Sequence, residues 1–297
     1  MPKLLKRYDG ETMSDATALA SGKGHHDENF PVASFVIAAR HRPAILAFYN
    51  FVRTADDVAD NAAAPADEKL RLLEDMRLSL MGGSDVSPQG VALRTVLEKR
   101  GLSTDHAADL LEAFRRDVVK QRYADWDELI DYCRYSAMPV GRYVLDVHGE
   151  TNASWPANDA LCAALQVINH LQDCGKDYRD LDRVYLPEDI LASHGATVSM
   201  LGESQARPAL KSALADVAAR NGALLARSAA FAAQIRDGRL ALEVAMIQRF
   251  AEDLNAKLLT RDPLCDRVHH NKAELIPLVL SAFGRFLVTR FGHKSTS

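Results

Sequence analysis

Two acidic stretches, separated by more than a hundred residues, carry side chains spaced for chemistry. In Tyr49-Asn50-Phe51-Val52-Arg53-Thr54-Ala55-Asp56-Asp57-Val58-Ala59-Asp60, Asp56 and Asp60 are four residues apart, so on a helix they share one face about one turn from each other. Like charges so placed cost a few tenths of a kcal/mol, and a position near the helix C-terminus is also disfavoured by the helix dipole. A hard divalent cation reverses the penalty. Magnesium accepts carboxylate oxygens and keeps positions open for water or phosphate. Read alone, the segment is equally an acidic, solvated helix end. Arg53, three residues before Asp56, lies on neighbouring surface, where it either grips an oxygen of a metal-held diphosphate or pairs with Asp56 or Asp57.

The second stretch, Gln166 to Asp180, repeats Asn169, Asp173 and Asp177 at four-residue spacing, lining two turns of one helical face with oxygen ligands. Leu161, Leu165 and Ile168 precede it, so the polar stripe begins within a helix that otherwise reads as core. Carboxylates near a core require a partner, and a metal shared with the first stretch supplies one. Two such stripes facing each other across a bundle, with Arg53, Lys176 and Arg179 close by, suit a diphosphate bridged by several magnesium ions.

The elements that position these stripes read as helices throughout. Apolar residues recur at three- and four-residue spacing, and alternating β-branched runs are nearly absent. The periodicity predicts an all-α protein with helices over 43–60, 67–81, 90–99, 105–120, 126–149, 158–179, 206–235, 238–260 and 272–291. Breaks are expected at Gly82-Gly83-Ser84, Gly101, Trp155-Pro156, Tyr185-Leu186-Pro187 and Asp262-Pro263. With no long linker and no repeat of solenoid length, one domain over 1–297 is expected, its first 25 residues a poorly ordered N-terminal segment.

Composition narrows the function. The 297 residues are 47% hydrophobic, enough for a sizeable core, and the net charge of −4 with dispersed Lys and Arg argues against a nucleic-acid partner. Cys133, Cys162, Cys174 and Cys265 form no metal-spaced ladder, which fits a reduced, cytoplasmic protein. The N-terminus has no apolar stretch of signal-peptide length. Leu275 to Phe291, interrupted by Pro277, Gly284, Arg285 and Arg290, reads as a core or surface-lying helix and not a bilayer span. The other histidines, outside the predicted helices and including His25-His26 and His269-His270, show no helical metal-ligand spacing and read as loop residues.

From about Asn29 to about Lys272 the chain resembles the squalene/phytoene synthase family. The likeness rests on Arg53 three residues before Asp56-Asp57-Val58-Ala59-Asp60, then Tyr132-Cys133-Arg134-Tyr135-Ser136-Ala137-Met138-Pro139-Val140-Gly141, then Asn169 to Asp177. The resemblance implies an isoprenoid-synthase helical bundle with a central active-site cavity. In it Asp56, Asp60, Asn169, Asp173 and Asp177, with Asp57 of the same motif, carry two or three magnesium ions. Arg53 meets diphosphate, and Phe30, Tyr49, Tyr132, Ala137, Val140, Gly141 and Gln166 line the prenyl channel. An apolar wall offering π-density suits a carbocation, although ordinary core aromatics would look the same. Arg267 and Lys272 fall in a region that relatives use near the diphosphate, and are equally a solvated basic face.

One departure is informative. Members that condense two prenyl diphosphates usually place Arg just before the Asp of the second motif, where this chain has Gln172. Loss of that fixed cation weakens the case for a second diphosphate. With Arg142, the N-terminal run Asp27-Glu28-Asn29-Phe30-Pro31-Val32 and the run Gln172 to Arg179, the sequence looks most like the hopanoid-pathway branch that converts presqualene diphosphate and water into hydroxysqualene and pyrophosphate. The rivals are head-to-head condensation of two prenyl diphosphates and a non-catalytic scaffold. Water capture requires no NADPH, and Tyr132, Gln172 and Tyr178 are candidates to place the water. A water-insoluble product and an apolar C-terminal helix point to peripheral membrane association and coupling to neighbouring squalene-pathway enzymes.

Overall fold

The computed structural model describes residues 38–291; Phe30, the first 25 residues and His25-His26 lie outside them. Among the described residues twelve α-helices run in chain order: α1 Arg42–Asp60, α2 Ala66–Met81, α3 Pro88–Arg100, α4 Asp105–Val119, α5 Trp126–Ser136, α6 Met138–His148, α7 Trp155–Leu181, α8 Glu188–Ser193, α9 Pro208–Ser228, α10 Phe231–Gln234, α11 Gly238–Leu258 and α12 Lys272–Phe291. Among the described residues the only extended pairing is an isolated bridge between Arg122 and Val184.

Local chemistry accounts for the ends. Gly82 and Gly101 close α2 and α3 in the left-handed region, at φ 83° and 63°. Asp125 caps α5 through the Glu128 amide, and Asp237 caps α11 through the amides of Arg239 and Leu240. The expected helix over 126–149 is two helices, broken at Ala137, because Pro139 supplies no amide and suits the first turn of a new helix. Trp155-Pro156 likewise opens α7 instead of interrupting the chain before it. The expected 206–235 helix ends at Ser228, and the short α8 was not signalled by periodicity.

The 27-residue α7 lies at the centre, packed against α5, α6, α9 and α11. One apolar cluster surrounds it; a second joins α1 to α2, α3 and α4. The two meet at α6, where Leu145 belongs to the first and Tyr143 and Val147 to the second. Between α1, α6, α7 and α11 this packing leaves an apolar cavity of about 270 Å³. Phe48 stacks on Tyr143 in its wall, with ring centroids 3.9 Å apart.

Gly141 permits that arrangement. A Cβ there would lie 2.0 Å from Asn158 Oδ1 and 2.6 Å from Cys162 Sγ on α7. Gly141→Ala is therefore expected to push α6 off α7 and to destabilise the fold by about 1–3 kcal/mol, read as a lowered urea midpoint at unchanged slope.

Candidate active site

The same two helices line the cavity and carry the acids. On α1, Phe48, Val52, Asp56 and Asp60 follow one another at four-residue intervals; on α7, Leu161, Leu165, Asn169, Asp173 and Asp177 do so. Phe48, Val52, Leu161 and Leu165 line the cavity, so each stripe turns from apolar to acidic as it leaves it. Tyr49, Val140 and Gly141 also line the cavity.

The acidic ends are close enough to feel each other. Burial and then the neighbouring Asp60 push the Asp56 carboxyl up to about 7, with Arg53 opposing. Burial, followed by Asp173, pushes Asp177 up to about 7, with Asp60 adding and Arg183 opposing. Desolvated carboxylates beside like charges favour a bound proton, or a cation in its place. Their donor set, four carboxylates and an amide, suits a hard divalent cation. These acids do not close a ligand sphere by themselves: among the described residues the only three-ligand group within 4.8 Å is elsewhere, at His41, His148 and Asp237. A bridging anion would complete the coordination.

Between the stripes lies a buried polar hub. Arg183, in the loop after α7, donates to Asp60 Oδ1 at 2.8 Å and to the Tyr185 hydroxyl at 3.3 Å. Tyr185 and Tyr132 both donate to Asp117, at 2.9 and 2.7 Å. His170 stacks on Tyr185 at 3.6 Å between ring centroids, and Tyr123 packs against both tyrosines. Burial pushes Asp117 up to about 6 against the pull of Arg183 and the two hydroxyls. Burial, reinforced by Arg183, lowers His170 to about 3, so it is a neutral ring and not a proton carrier. Burial alone would lower Arg183, but Tyr185, Asp117 and Asp60 hold it well above the usual range.

Residues 23–274 match the squalene/phytoene synthase family. The chain belongs to that family. It is 57% identical to the hydroxysqualene synthase of Zymomonas mobilis over 274 residues, 91% of this chain and 92% of that one. It is 53% identical to the hydroxysqualene synthase of Rhodopseudomonas palustris over 286 residues, covering 96% and 98%. The crystal structure of a squalene synthase from Alicyclobacillus acidocaldarius superposes with a TM-score of 0.69 at 32% identity, covering 82% of this chain and 91% of that chain. The chain is thus an all-α enzyme of the squalene/phytoene synthase family.

Not every expected family residue sits where the sequence puts it. Asp57 is buried and accepts from Arg53 at 2.6 Å, so it serves as the counter-ion of that arginine. Arg53 also holds Asp56 at 2.7 Å. Tyr132 is in the core with its hydroxyl committed to Asp117, outside the cavity wall, which also omits Ala137 and Gln166. Gln172 is buried and donates to the Val268 carbonyl, pinning the loop that carries the exposed Arg267. Lys176, Arg179 and Asp173 are exposed on α7. Lys272 opens α12.

Arg183, Tyr185 and Asp117 were not singled out by spacing. Asp117 did carry a signal: it occupies a core position after Leu110 and Ala113 on the amphipathic α4, and an acid there demands a partner. Arg183 belongs to no periodic stripe.

The raised carboxyls give a pH prediction. Asp56 and Asp177, ordinarily near 3.8 and here about 7, favour the protonated folded state. They contribute stability below their unfolded values that is lost as pH rises through about 7. A cation must displace those protons. Magnesium should therefore raise the melting temperature more at about pH 8 than at about pH 6; an equal shift would place the ion elsewhere.

Proposed function

We propose that the protein converts presqualene diphosphate and water into hydroxysqualene and pyrophosphate. The observation that carries this reading is the pair of apolar-to-acidic stripes on α1 and α7 around one cavity, in a chain more than half identical to hydroxysqualene synthases. The whole chain is taken to act as one domain.

Asp56, Asp60, Asn169, Asp173 and Asp177 would hold two or three magnesium ions. When bound, these supply positive charge to the departing pyrophosphate. Arg53 adds a forked donor to the diphosphate once it exchanges one of its carboxylate partners. Phe48, Tyr49, Val52, Val140, Leu161 and Leu165 exclude bulk water from the prenyl chain, and the aromatic rings offer π-density to positive charge within it. Carbon–oxygen cleavage releases pyrophosphate; the cation rearranges, gains a water oxygen and loses one of that water's protons. No hydride donor enters, so NADPH is not needed. Tyr132 and Gln172 are committed to Asp117 and Val268, and the Tyr178 ring packs beside Gly202, outside the cavity wall.

Condensation of two prenyl diphosphates is the second reading, since the family includes phytoene synthases. Gln172 speaks against it, being neutral and turned to a backbone carbonyl. Gas chromatography with mass spectrometry after separate incubations with farnesyl diphosphate and presqualene diphosphate, with magnesium and without NADPH, decides. Hydroxysqualene from presqualene diphosphate alone is expected; turnover of farnesyl diphosphate alone would make the protein a condensing synthase.

No helix among the described residues is long and apolar enough to cross a membrane. Yet α12 exposes Ile276 (66%), Leu280 (67%), Phe283 and Leu287, a stripe at helical spacing that suits shallow seating on a bilayer. We infer a cytoplasmic enzyme held at the membrane surface near its pathway neighbours. Ile276→Ser with Leu280→Ser should reduce sedimentation with anionic liposomes; unchanged partitioning would remove α12 from the contact.

A further inference from the structure

At the other end of the bundle, His41, His148 and Asp237 bring one ligand atom each to within 4.8 Å of one another, the only such group among the described residues. They come from three places far apart in sequence: the residue before α1, the last residue of α6 and the cap of α11. Along α1 the cluster is roughly 22 Å from Asp56.

Each side chain is arranged as a ligand. His148 Nδ1 faces the Val144 carbonyl at 2.8 Å, which fixes the tautomer and leaves Nε2 with its lone pair. Asp237 Oδ1 is taken by the Arg239 and Leu240 amides, at 2.8 and 3.1 Å, leaving Oδ2. His41 is 7% exposed, its ring centroid lies 4.2 Å from that of His148 at a 33° tilt, and it has no partner at Nδ1.

A cation already leans on this group. The Arg40 guanidinium donates to His41 Nε2 at 2.9 Å and lies 3.9 Å from Asp237 Oδ2, on a side chain that is 74% exposed and can swing away. The charge of neighbouring Arg236 is matched by Glu150. We propose that His41, His148 and Asp237 form a second metal site, for a borderline transition ion such as zinc, distinct from the acidic magnesium site. Two imidazoles, one carboxylate and a water make a tetrahedral zinc set. Tetrahedral ligands lie about 3.4 Å apart at such bond lengths, and the three ligand atoms already lie within 4.8 Å of one another. The ion replaces Arg40 and staples α1, α6 and α11, three of the helices that line the cavity.

The test uses the full chain, stripped with chelator and held in excess magnesium, titrated with Co²⁺ as a spectroscopic probe. One equivalent should give visible bands of tetrahedral intensity, and Zn²⁺ should displace it and raise the melting temperature. His148→Gln should weaken Co²⁺ binding by about tenfold or more and abolish the Zn²⁺ shift, while melting as the parent does without metal. Arg40→Ala should tighten binding, because a competing cation is gone. Bands and affinity unchanged in His148→Gln would overturn the site by assigning the ion to other histidines. If His148→Gln does not fold, Arg40→Ala decides, and unaltered affinity there overturns it.

Discussion

Replacing Asp177 by Asn is expected to lower kcat by about 10²–10³-fold, several kcal/mol of lost charge stabilisation, while making the metal-free protein more stable. The two effects have one origin. Asp177 is pushed up to about 7 by burial and by Asp173 and Asp60, so above that pH its charge is held against repulsion. An isosteric amide removes the repulsion, and stability at about pH 8 should rise on the order of 1 kcal/mol. The same amide is a poorer ligand for a hard cation, so the magnesium concentration for half-maximal activity should rise too. A misfolded variant would lose activity and stability together, whereas a ligand variant loses one and gains the other. If kcat stays within tenfold of the parent, Asp177 does not hold the ion.

The acidic stripes were legible because a helix repeats. Asp56 with Asp60, and Asn169 with Asp173 and Asp177, announce a shared face through their spacing alone, and the structure adds that the face continues into the cavity through Val52 and Leu165. Helix ends were legible where Gly82 and Gly101 supply a left-handed cap. Breaks at Ala137 and Ser228 were not, because apolar periodicity runs on across them and tertiary packing decides. The cavity wall was legible only in part: Val140 and Gly141 line it while Ala137, in the same motif, is buried outside it. Least legible were contacts made by single residues from separate elements. Arg183 reaches Asp60 across 123 positions, and His41, His148 and Asp237 meet from three helix ends. No local pattern encodes such a meeting.

Arg183→Gln is expected to cost about 3 kcal/mol of stability, the lower end of the range for breaking a buried pair, because Asp60 is 43% exposed and can rehydrate. Asp117 cannot. It is 5% exposed, and although Tyr132 and Tyr185 still donate to it, its nearest countercharge is gone. The Asp117 carboxyl, already pushed up to about 6 by burial with Arg183 in place, must then rise further. An acid whose proton affinity is raised in the folded state contributes stability at low pH that is lost as pH rises through its folded value. The deficit of Arg183→Gln relative to the parent should therefore be small at about pH 5 and full at about pH 8. Adding Asp117→Asn should recover part of it at the higher pH by removing the stranded charge. Activity should fall as well, since Asp60 loses the donor that fixes its Oδ1 and the two acidic stripes lose the cation between them. Guanidinium chloride unfolding of the metal-free proteins at both pH values separates the causes: a deficit that is the same at each would mean that Arg183 acts through packing, not through its charge.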